Sequence, residues 1–240
     1  MVLKDKAVLL TGGSAGIGRE LAHLLKEKGA RVTLTGRNKD RLAEMQDKGF
    51  EVIEADLANA KGVDALIADI GEREFDVLIN NAGQLVDHDF RKELPDSDAA
   101  DDCIYANLSA PIRLITALVP MLGRQPEASI VNVTSGLAIA PAARQPVYCA
   151  TKSGLRAYSL TLREQLKDTN IHVIEALPPV VDTQMNADNP MSKMPAAECA
   201  AQILDAIETN RAEANIGMTK LLKLAESISP ALARSITLRF

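Results

Sequence analysis

Residues 7–18 read AVLLTGGSAGIG, a run of apolar residues that ends in a cluster of glycines. The run predicts a buried strand, and the residues that follow, up to Gly29, repeat apolar side chains at the spacing of a helix. Glycines between a strand and a helix permit a sharp turn, and the free backbone N–H groups of the helix then point at a bound phosphate. This stretch therefore predicts the first strand, turn and helix of a parallel α/β sheet.

The glycines of this turn follow the spacing G-x-x-x-G-x-G at Gly12, Gly16 and Gly18. A side chain at these positions would hinder a pyrophosphate from approaching the backbone, so the pattern favours a dinucleotide-binding turn. A plain glycine turn without a ligand is the alternative.

The alternation of strand and helix continues along the chain. Further strands are predicted at 31–36, 51–56, 76–80, 128–135 and 171–177, with a short seventh strand near 213–218. Further helices are predicted at 38–49, 59–73, 97–123, 147–168 and 196–210. Near-continuous apolar strands separated by helices indicate a Rossmann-like, doubly wound α/β sheet of about seven parallel strands flanked by helices. Ligands of such sheets bind outside the carboxyl ends of the strands, where the winding reverses.

The composition predicts a single domain spanning 1–240, because no linker or repeat divides the 240 residues. The chain carries 27 basic and 32 acidic residues, and its net charge of −5 offers no global positive field for nucleic acid or an anionic membrane. Cys103, Cys149 and Cys199 fit neither a disulfide framework nor a zinc motif, and the 3 histidines show no metal-binding spacing. We expect a cytoplasmic protein without a metal or a membrane-inserted segment.

The end of the second predicted strand reads TLTGRN at residues 33–38, and it bears on the choice of dinucleotide. Folds that use NAD usually place a carboxylate here to bind the ribose 2′-hydroxyl. Gly36 stands where that acid is expected, and Arg37 offers a guanidinium suited to a 2′-phosphate. The stretch favours NADP(H) over NAD(H). The alternative is that Arg37 is a solvated member of the charge run RNKDR.

A tyrosine and a lysine lie about one helical turn apart in PVYCATKSGL, residues 146–155. On their own, Tyr148 and Lys152 would be interpreted as an amphipathic surface pair. They do not stand alone, because other motifs precede them.

Four motifs in order resemble the classical short-chain dehydrogenases/reductases: TGGSAGIG at 11–18, NNAG at 80–83, Ser135, and Tyr148 with Lys152. The resemblance covers nearly the whole chain. The segments PPVVDT and ISPALA further resemble the DltE-type oxidoreductase branch of that family.

The resemblance implies a role for each matching residue. The implied catalytic residues are Asn107, Ser135, Tyr148 and Lys152. The implied cofactor-binding residues are Gly12, Ser14, Ala15, Gly16, Ile17, Gly18, Arg37, Asp56, Leu57, Asn81, Ala82, Gly83, Tyr148, Lys152, Val181 and Thr183. Pro179 departs from the family pattern, which commonly has glycine, and it predicts an altered backbone beneath the nicotinamide. A homodimer or homotetramer built through the helices at 97–123 and 147–168 is also implied.

These residues predict a reaction. Free tyrosine has a pKa of about 10, and Lys152 together with the positive ring of oxidised nicotinamide is expected to lower that pKa towards neutrality. Tyr148 then acts as general acid/base, and Ser135 binds the same substrate oxygen. The family resemblance further implies that Lys152 holds the nicotinamide ribose and that Asn107 fixes a water that returns protons. The predicted function is an NADP(H)-dependent oxidoreductase that transfers a hydride between the nicotinamide and a carbonyl or secondary alcohol. The alternative is a non-catalytic NADP(H)-binding sensor or scaffold protein, and a sugar-nucleotide epimerase is less favoured.

Two segments lie outside these motifs. Residues 178–195 are rich in proline and predict an irregular substrate loop, whose three methionines we interpret as a lid over an apolar substrate. Residues 218–240 form an amphipathic, basic-flanked segment that predicts either subunit packing or contact with a membrane surface. Pro230 and the negative net charge favour subunit packing.

Overall fold

The computed structural model describes residues 1–92, 94 and 96–239. The strands within these residues are β1 (Ala7–Leu10), β2 (Arg31–Gly36), β3 (Glu51–Glu54), β4 (Val77–Asn80), β5 (Ala128–Val133), β6 (Ile171–Leu177), β7 (Val181–Asp182), β8 (Met194–Pro195) and β9 (Glu213–Asn215). The α-helices are α1 (Gly16–Glu27), α2 (Lys39–Asp47), α3 (Ala60–Ile70), α4 (Ser97–Ile104), α5 (Ala110–Leu122), α6 (Pro146–Leu166), α7 (Ala196–Glu208), α8 (Thr219–Ile228) and α9 (Pro230–Thr237).

A parallel sheet of seven strands, counted over the described residues, runs in the order β3-β2-β1-β4-β5-β6-β9. Successive residues of β1 point to opposite faces: Val8 and Leu10 join the core with α1 and α7, whereas Ala7 and Leu9 join the core with α3 and α5. Burial on both faces explains why the strand sequence is continuously apolar. The predicted Rossmann-like, doubly wound single domain is confirmed.

The winding of the sheet reverses between β1 and β4. From β1 the chain builds outward to β2 and β3, then returns to place β4 against the other side of β1. The carboxyl ends of β1 and β4 therefore border a crevice, where doubly wound sheets bind their ligands. This topology brings the glycine turn after β1 beside the NNAG segment after β4.

The helix predicted at 97–123 is not continuous. A π-helical turn at Tyr105–Ser109 separates α4 from α5. A π turn contains one more residue than an α turn, and the hydrophobic periodicity from which the helix was predicted does not resolve that single residue. Asn107 lies within this turn and is fully buried.

The proline-rich segment at 178–195 is more ordered than predicted. Strands β7 and β8 pair in parallel at its base, and the Met194 N–H donates to the Val180 carbonyl at 2.9 Å. The seventh sheet strand ends at Asn215, two residues before Gly217, whose φ of +52° turns the chain towards α8. The segment predicted at 218–240 forms α8 and α9, and its last residue, Phe240, lies outside the described residues.

One helical stretch of the described chain, Ser97–Leu122, is long and apolar enough to cross a membrane by length and composition, with a mean hydropathy of 1.3. Core helices of soluble proteins pass the same test. Here α4, the π turn and α5 contact α6 and α3, and α5 contributes buried leucines to the core.

Candidate active site

A cleft of about 820 Å³ opens at the carboxyl ends of β1, β4, β5 and β6. Its lining includes all the predicted cofactor-binding residues, and it also includes Ser135. Asn107 alone among the predicted site residues lies behind the wall of the cleft, fully buried. The volume is within the usual range of small-molecule sites.

The glycine turn shows why glycine is needed at two of its positions. Gly12 has a φ of +65°, and a Cβ on it would lie 2.9 Å from the Cα of Ala82. A Cβ on Gly18 would lie 2.2 Å from the Gly12 carbonyl oxygen. These clashes are with protein backbone, so Gly12 and Gly18 allow the turn, α1 and the NNAG segment to pack closely. Backbone packing alone therefore excludes a side chain at both positions, independently of the predicted need for room beside the ligand.

The amino end of α1 fits a pyrophosphate. Its N-cap residue is Ala15, which has no side chain to bond the free N–H groups, and the first turn carries no acidic residue. The N–H groups and the positive end of the helix dipole therefore face the cleft without a competing anion.

The outer end of the cleft carries cations. Arg37 is exposed and lines the cleft, and among the described residues no carboxylate pairs with it. A Cβ on Gly36 would lie 2.7 Å from the Ser14 Oγ, so glycine leaves room between the two turns. Arg41 lines the same region and donates to Gln184 Oε1 at 2.6 Å. The sequence interpretation missed Arg41, because Arg37 precedes α2 and no helical spacing relates the two arginines.

The NNAG segment holds the glycine turn in place. The Asn81 Nδ2 donates to the carbonyls of Thr11 and Gly12 at 3.0 and 3.2 Å. The backbone N–H groups of Asn81 and Ala82 both donate to the Thr11 Oγ1 at 3.0 Å. Asn81 and Ala82 thus line the cleft while they fasten it together. Thr11 was missed as a site residue, because a threonine before glycines is common at strand ends.

Asp56 and Leu57 lie at the start of the loop that leads to α3. The Asp56 carboxylate accepts from the Ala58 N–H at 3.2 Å and from the Asn59 Nδ2 at 3.0 Å. Both residues line the outer part of the cleft.

The Asn107 side chain hydrogen-bonds to the backbone of Gln84, the residue that follows the NNAG segment. Its Oδ1 accepts from the Gln84 N–H at 2.7 Å, and its Nδ2 lies 2.9 Å from the Gln84 carbonyl oxygen and 3.1 Å from the Thr151 Oγ1. The side chain therefore joins the π turn, the loop after β4 and α6. Thr151 was missed by the sequence interpretation, although it directly precedes Lys152.

Ser135, Tyr148 and Lys152 converge on the wall of the cleft formed by β5 and α6. The Lys152 Nζ donates to the Val133 carbonyl at 2.8 Å and lies 5.7 Å from the centre of the Tyr148 ring. The Ser135 Oγ accepts from the Leu137 N–H at 3.1 Å, which fixes the hydroxyl at the end of the strand. Only 4% of Lys152 is exposed.

Burial dominates the electrostatics of Tyr148 and Lys152 in the protein alone. Burial raises the pKa of Tyr148 to about 12, and hydrogen bonding with Ser135 only partly opposes that shift. Burial also lowers the pKa of Lys152 to about 8. Among the chain's own groups, desolvation of the phenolate outweighs its stabilisation by neighbouring groups, so the predicted acidification depends on the bound oxidised nicotinamide that it also invoked.

Val181 and Thr183 border the cleft opposite the glycine turn. Val181 is buried, and the Thr183 Cγ2 lies 3.0 Å from where a Cβ on Gly16 would be. Pro179 forms part of the lining, and the Pro178 carbonyl accepts from the Gly136 N–H at 2.8 Å. The two prolines thus form a fixed wall next to Ser135.

Comparison with known proteins shows the family to which this chain belongs. Residues 6–193 match the family model of the short chain dehydrogenases. An oxidoreductase of Bacillus subtilis (strain 168) named DltE is 45% identical over 191 residues, which are 78% of this chain and 75% of the relative.

Solved structures agree with this family. A short chain dehydrogenase from Burkholderia cenocepacia J2315 in complex with NADP matches with a TM-score of 0.86 and 26% identity, over 99% of both chains. A short chain dehydrogenase/reductase from Burkholderia phymatum in complex with NAD matches with a TM-score of 0.80 and 20% identity, over 89% of both chains, and shows likeness of fold. The family match over residues 6–193 and the 45% identical relative show that this chain belongs to the short-chain dehydrogenase/reductase family of oxidoreductases, in a DltE-like branch.

Proposed function

We propose that this enzyme is an NADP(H)-dependent oxidoreductase that transfers a hydride between the nicotinamide and a carbonyl or secondary alcohol substrate. The observation that carries the proposal is the convergence of Ser135, Tyr148 and Lys152 on the cleft that begins at the glycine turn. A bound nicotinamide supplies the hydride in reduction and accepts it in oxidation. The chain's own residues bind the reactants and move the proton.

Tyr148 is the proton donor in reduction. Because burial holds its pKa at about 12, the phenol is protonated at neutral pH and ready to donate to a carbonyl oxygen that gains negative charge. Alcohol oxidation requires the deprotonated phenol, which the positive ring of a bound oxidised nicotinamide would favour. Ser135 is placed to donate to the same oxygen and to stabilise the developing charge.

Lys152 binds the cofactor ribose. One of its three N–H donors is used by the Val133 carbonyl, which leaves two for hydroxyl groups in the cleft. Gly83 supports a water path next to it, because a Cβ on Gly83 would lie 3.0 Å from the Asn107 Oδ1 and 3.6 Å from the Lys152 Nζ. The space that glycine leaves free lies between these two atoms, where a water returning protons to the site is proposed to bind.

The proposed preference for NADP(H) rests on the outer end of the cleft. The exposed Arg37, the missing carboxylate at Gly36 and the nearby Arg41 favour a 2′-phosphate. The solved relatives include complexes with NADP and with NAD, so the residues at this end of the cleft carry the choice.

The loop 178–195 is proposed as the substrate loop. Met185 lines the cleft, and its side chain is partly exposed. Met191 lies outside the cleft lining and is partly exposed as well. Met194 does not belong to a lid as predicted, because it lies in β8 and packs against the core. Apolar lid residues and the apolar segment after Ser135 suit a largely apolar substrate.

A homo-oligomer built through α5 and α6 is proposed. The exposed side of α6 carries small, uncharged residues, among them Ser153 and Ala157, and the exposed side of α5 includes Ala117. Such residues let helices of two subunits approach closely.

The test of the proposed function is turnover with a panel of ketones and aldehydes and NADPH, followed at the nicotinamide absorbance. Tyr148→Phe should reduce kcat at least about a hundredfold, because general acid catalysis is lost, and should leave NADPH affinity nearly unchanged. Tyr158→Phe is the matched control, since it removes a hydroxyl from the same helix outside the cleft.

Two results would argue against the proposal. Equal turnover in Tyr148→Phe and wild type would remove the assigned proton donor. NADPH binding without turnover of any substrate in the panel would favour the sensor or scaffold alternative.

A further inference from the structure

The C-terminal hairpin, defined here as α8 and α9, turns its apolar side outward. Leu221, Leu224 and Ile228 of α8 are exposed, Leu224 by 57% and Ile228 by 73%. Leu232 and Ile236 of α9 are exposed as well. Amphipathic helices at a protein surface normally face the core with this side. The hairpin also lies beyond residues 6–193, which match the family.

The inward side of α8 carries both polar and apolar residues, since the Leu222 Cδ2 lies 3.6 Å from where a Cβ on Gly136 would be. Thr219 is buried, and its Oγ1 lies 2.9 Å from where a Cβ on Gly136 would be, beside the catalytic wall. The Lys223 Nζ pairs with the Glu226 carboxylate at 3.0 Å, and both side chains are about two-thirds buried. Thr219 and Leu222 thus seat the hairpin on the enzyme, whereas the Lys223–Glu226 pair lies within α8. The leucine and isoleucine side chains that remain exposed are left for another surface.

Pro230 divides the hairpin into two helices. It occupies the first turn of α9, where the missing N–H costs little, and the Ser229 Oγ caps the helix by accepting from the Leu232 N–H at 3.3 Å. The proline separates two short helices that both expose apolar side chains. The break that the sequence predicted at Pro230 is present, but it leaves apolar side chains of both helices exposed.

The charge of the hairpin is opposite to that of the whole chain. Residues 218–239 contain four cations, Lys220, Lys223, Arg234 and Arg239, against the single carboxylate of Glu226, a net charge of +3. The complete chain has a net charge of −5. Although the whole chain is negatively charged, the hairpin therefore has a locally cationic and apolar surface.

We propose that the C-terminal hairpin docks on the surface of an anionic lipid bilayer. Exposed leucine and isoleucine side chains would enter the interface while the neighbouring cations meet anionic headgroups. A second copy of the chain fits less well, because a symmetric contact through this surface would place two patches of +3 against each other.

Docking would place the cleft close to the bilayer, and this consequence rests on the proposed function. A Cβ on Gly217, just before α8, would lie 3.4 Å from Pro179 Cγ, and Pro179 lines the cleft. Met218 at the start of the hairpin is 67% exposed. An apolar carbonyl compound dissolved in the membrane is the class of substrate that such an arrangement serves.

The test is flotation of the full chain with vesicles of phosphatidylcholine, with and without phosphatidylglycerol, at low and high salt. We expect binding to the anionic vesicles that weakens at high salt. Leu224→Gln/Ile228→Gln should reduce binding at least about tenfold, and Lys220→Gln/Arg234→Gln should reduce it about fivefold for each cation removed. Val2→Gln and Lys61→Gln are matched controls, because each changes an exposed residue of the same kind outside the hairpin.

Three results would overturn the proposal: no binding to anionic vesicles, binding unaffected by either pair of substitutions, or an oligomer without vesicle binding that Leu224→Gln/Ile228→Gln dissociates. The last result would assign the surface to a second copy. Turnover of a soluble substrate and thermal unfolding should match the wild type in both variants, which shows that they fold. Because vesicle binding is measured without turnover, its outcome is independent of the proposed reaction.

Discussion

Lys152 shows, at the scale of a residue, how the site conflicts with stability. The ammonium group is buried against the Val133 carbonyl, and burial lowers its pKa from 10.5 to about 8. A buried cation costs free energy that a hydrophobic side chain would not. Active sites commonly retain such groups because function requires them.

Lys152→Met should therefore stabilise the protein near pH 7 by roughly 1–2 kcal/mol and abolish turnover. The lowered pKa corresponds to a penalty of about 3 kcal/mol, which the unpaired Val133 carbonyl of the variant partly offsets. The measurement is urea denaturation of both proteins.

The pH dependence of this difference follows from the sign of the shift. Below pH 8 both states of the wild type are protonated, so the full penalty applies. Between about 8 and 10.5 the unfolded chain keeps a proton that the folded chain has lost, so wild-type stability rises with pH. The advantage of Lys152→Met should shrink between pH 7 and pH 10, and a constant difference would contradict the burial explanation.

The second prediction at the scale of a residue concerns Arg37 and the preference for NADPH over NADH. Arg37→Ala should weaken NADPH binding at least about tenfold and leave NADH binding nearly unchanged, because only NADPH carries the 2′-phosphate that the guanidinium would bind. Fluorescence titration with the two cofactors measures the ratio. Arg31→Ala is the control, since Arg31 is an exposed arginine at the opposite end of the same strand. Equal losses for both cofactors would assign Arg37 to the shared part of the dinucleotide.

Helix α6 is the element that carries Tyr148 and Lys152, and a buried ion network anchors it. The Arg156 guanidinium contacts the Glu175 carboxylate at 2.5 Å and the Glu213 carboxylate at 2.9 Å. Glu175 is fully buried and also accepts from the Thr134 Oγ1 at 2.8 Å, one residue before Ser135. The network therefore connects α6 with β5, β6 and β9, and burial raises the pKa of Glu175 despite it.

Breaking this network on one side should cost more than replacing both partners. Arg156→Met leaves the buried Glu175 carboxylate without its cation, and we expect a loss of about 3 kcal/mol in the free energy of unfolding. Arg156→Met/Glu175→Leu should recover part of that loss, because no buried charge remains unpaired. Urea denaturation of the single and double variants measures the coupling. Additive losses would mean that the two residues act separately.

At the scale of the whole molecule, two surfaces carry exposed apolar residues that a partner could cover. One is the side of α6 with Leu160, which is 44% exposed, and the other is the C-terminal hairpin. The first has small neighbours that permit close helix packing, whereas the second is surrounded by cations. We propose that the first surface contacts a second subunit and that the second contacts a bilayer.

Leu160→Arg should accordingly dissociate the oligomer, with an increase of at least about tenfold in the subunit dissociation constant, because two cations would meet at a symmetric helix interface. Sedimentation velocity measures this change. Leu224→Gln in the hairpin is the control and should leave the oligomer intact. The reverse pattern would exchange the two assignments.

The sequence alone predicted the fold class and many of the residues that line the cleft. Strand residues buried on both faces must be continuously apolar, and glycines at Gly12 and Gly18 have a local signature, so both could be read without coordinates. Tyr148 and Lys152 could be paired because four residues make about one helical turn.

Only the tertiary structure decided how these groups behave. The π turn that buries Asn107, the desolvation that raises the pKa of Tyr148 and the outward apolar side of the hairpin depend on which distant segments pack against each residue. Burial is a property of packed neighbours and has no period along the chain. For that reason sequence patterns located the chemistry, and the packing of β5, α6 and α8 set its electrostatics and its surroundings.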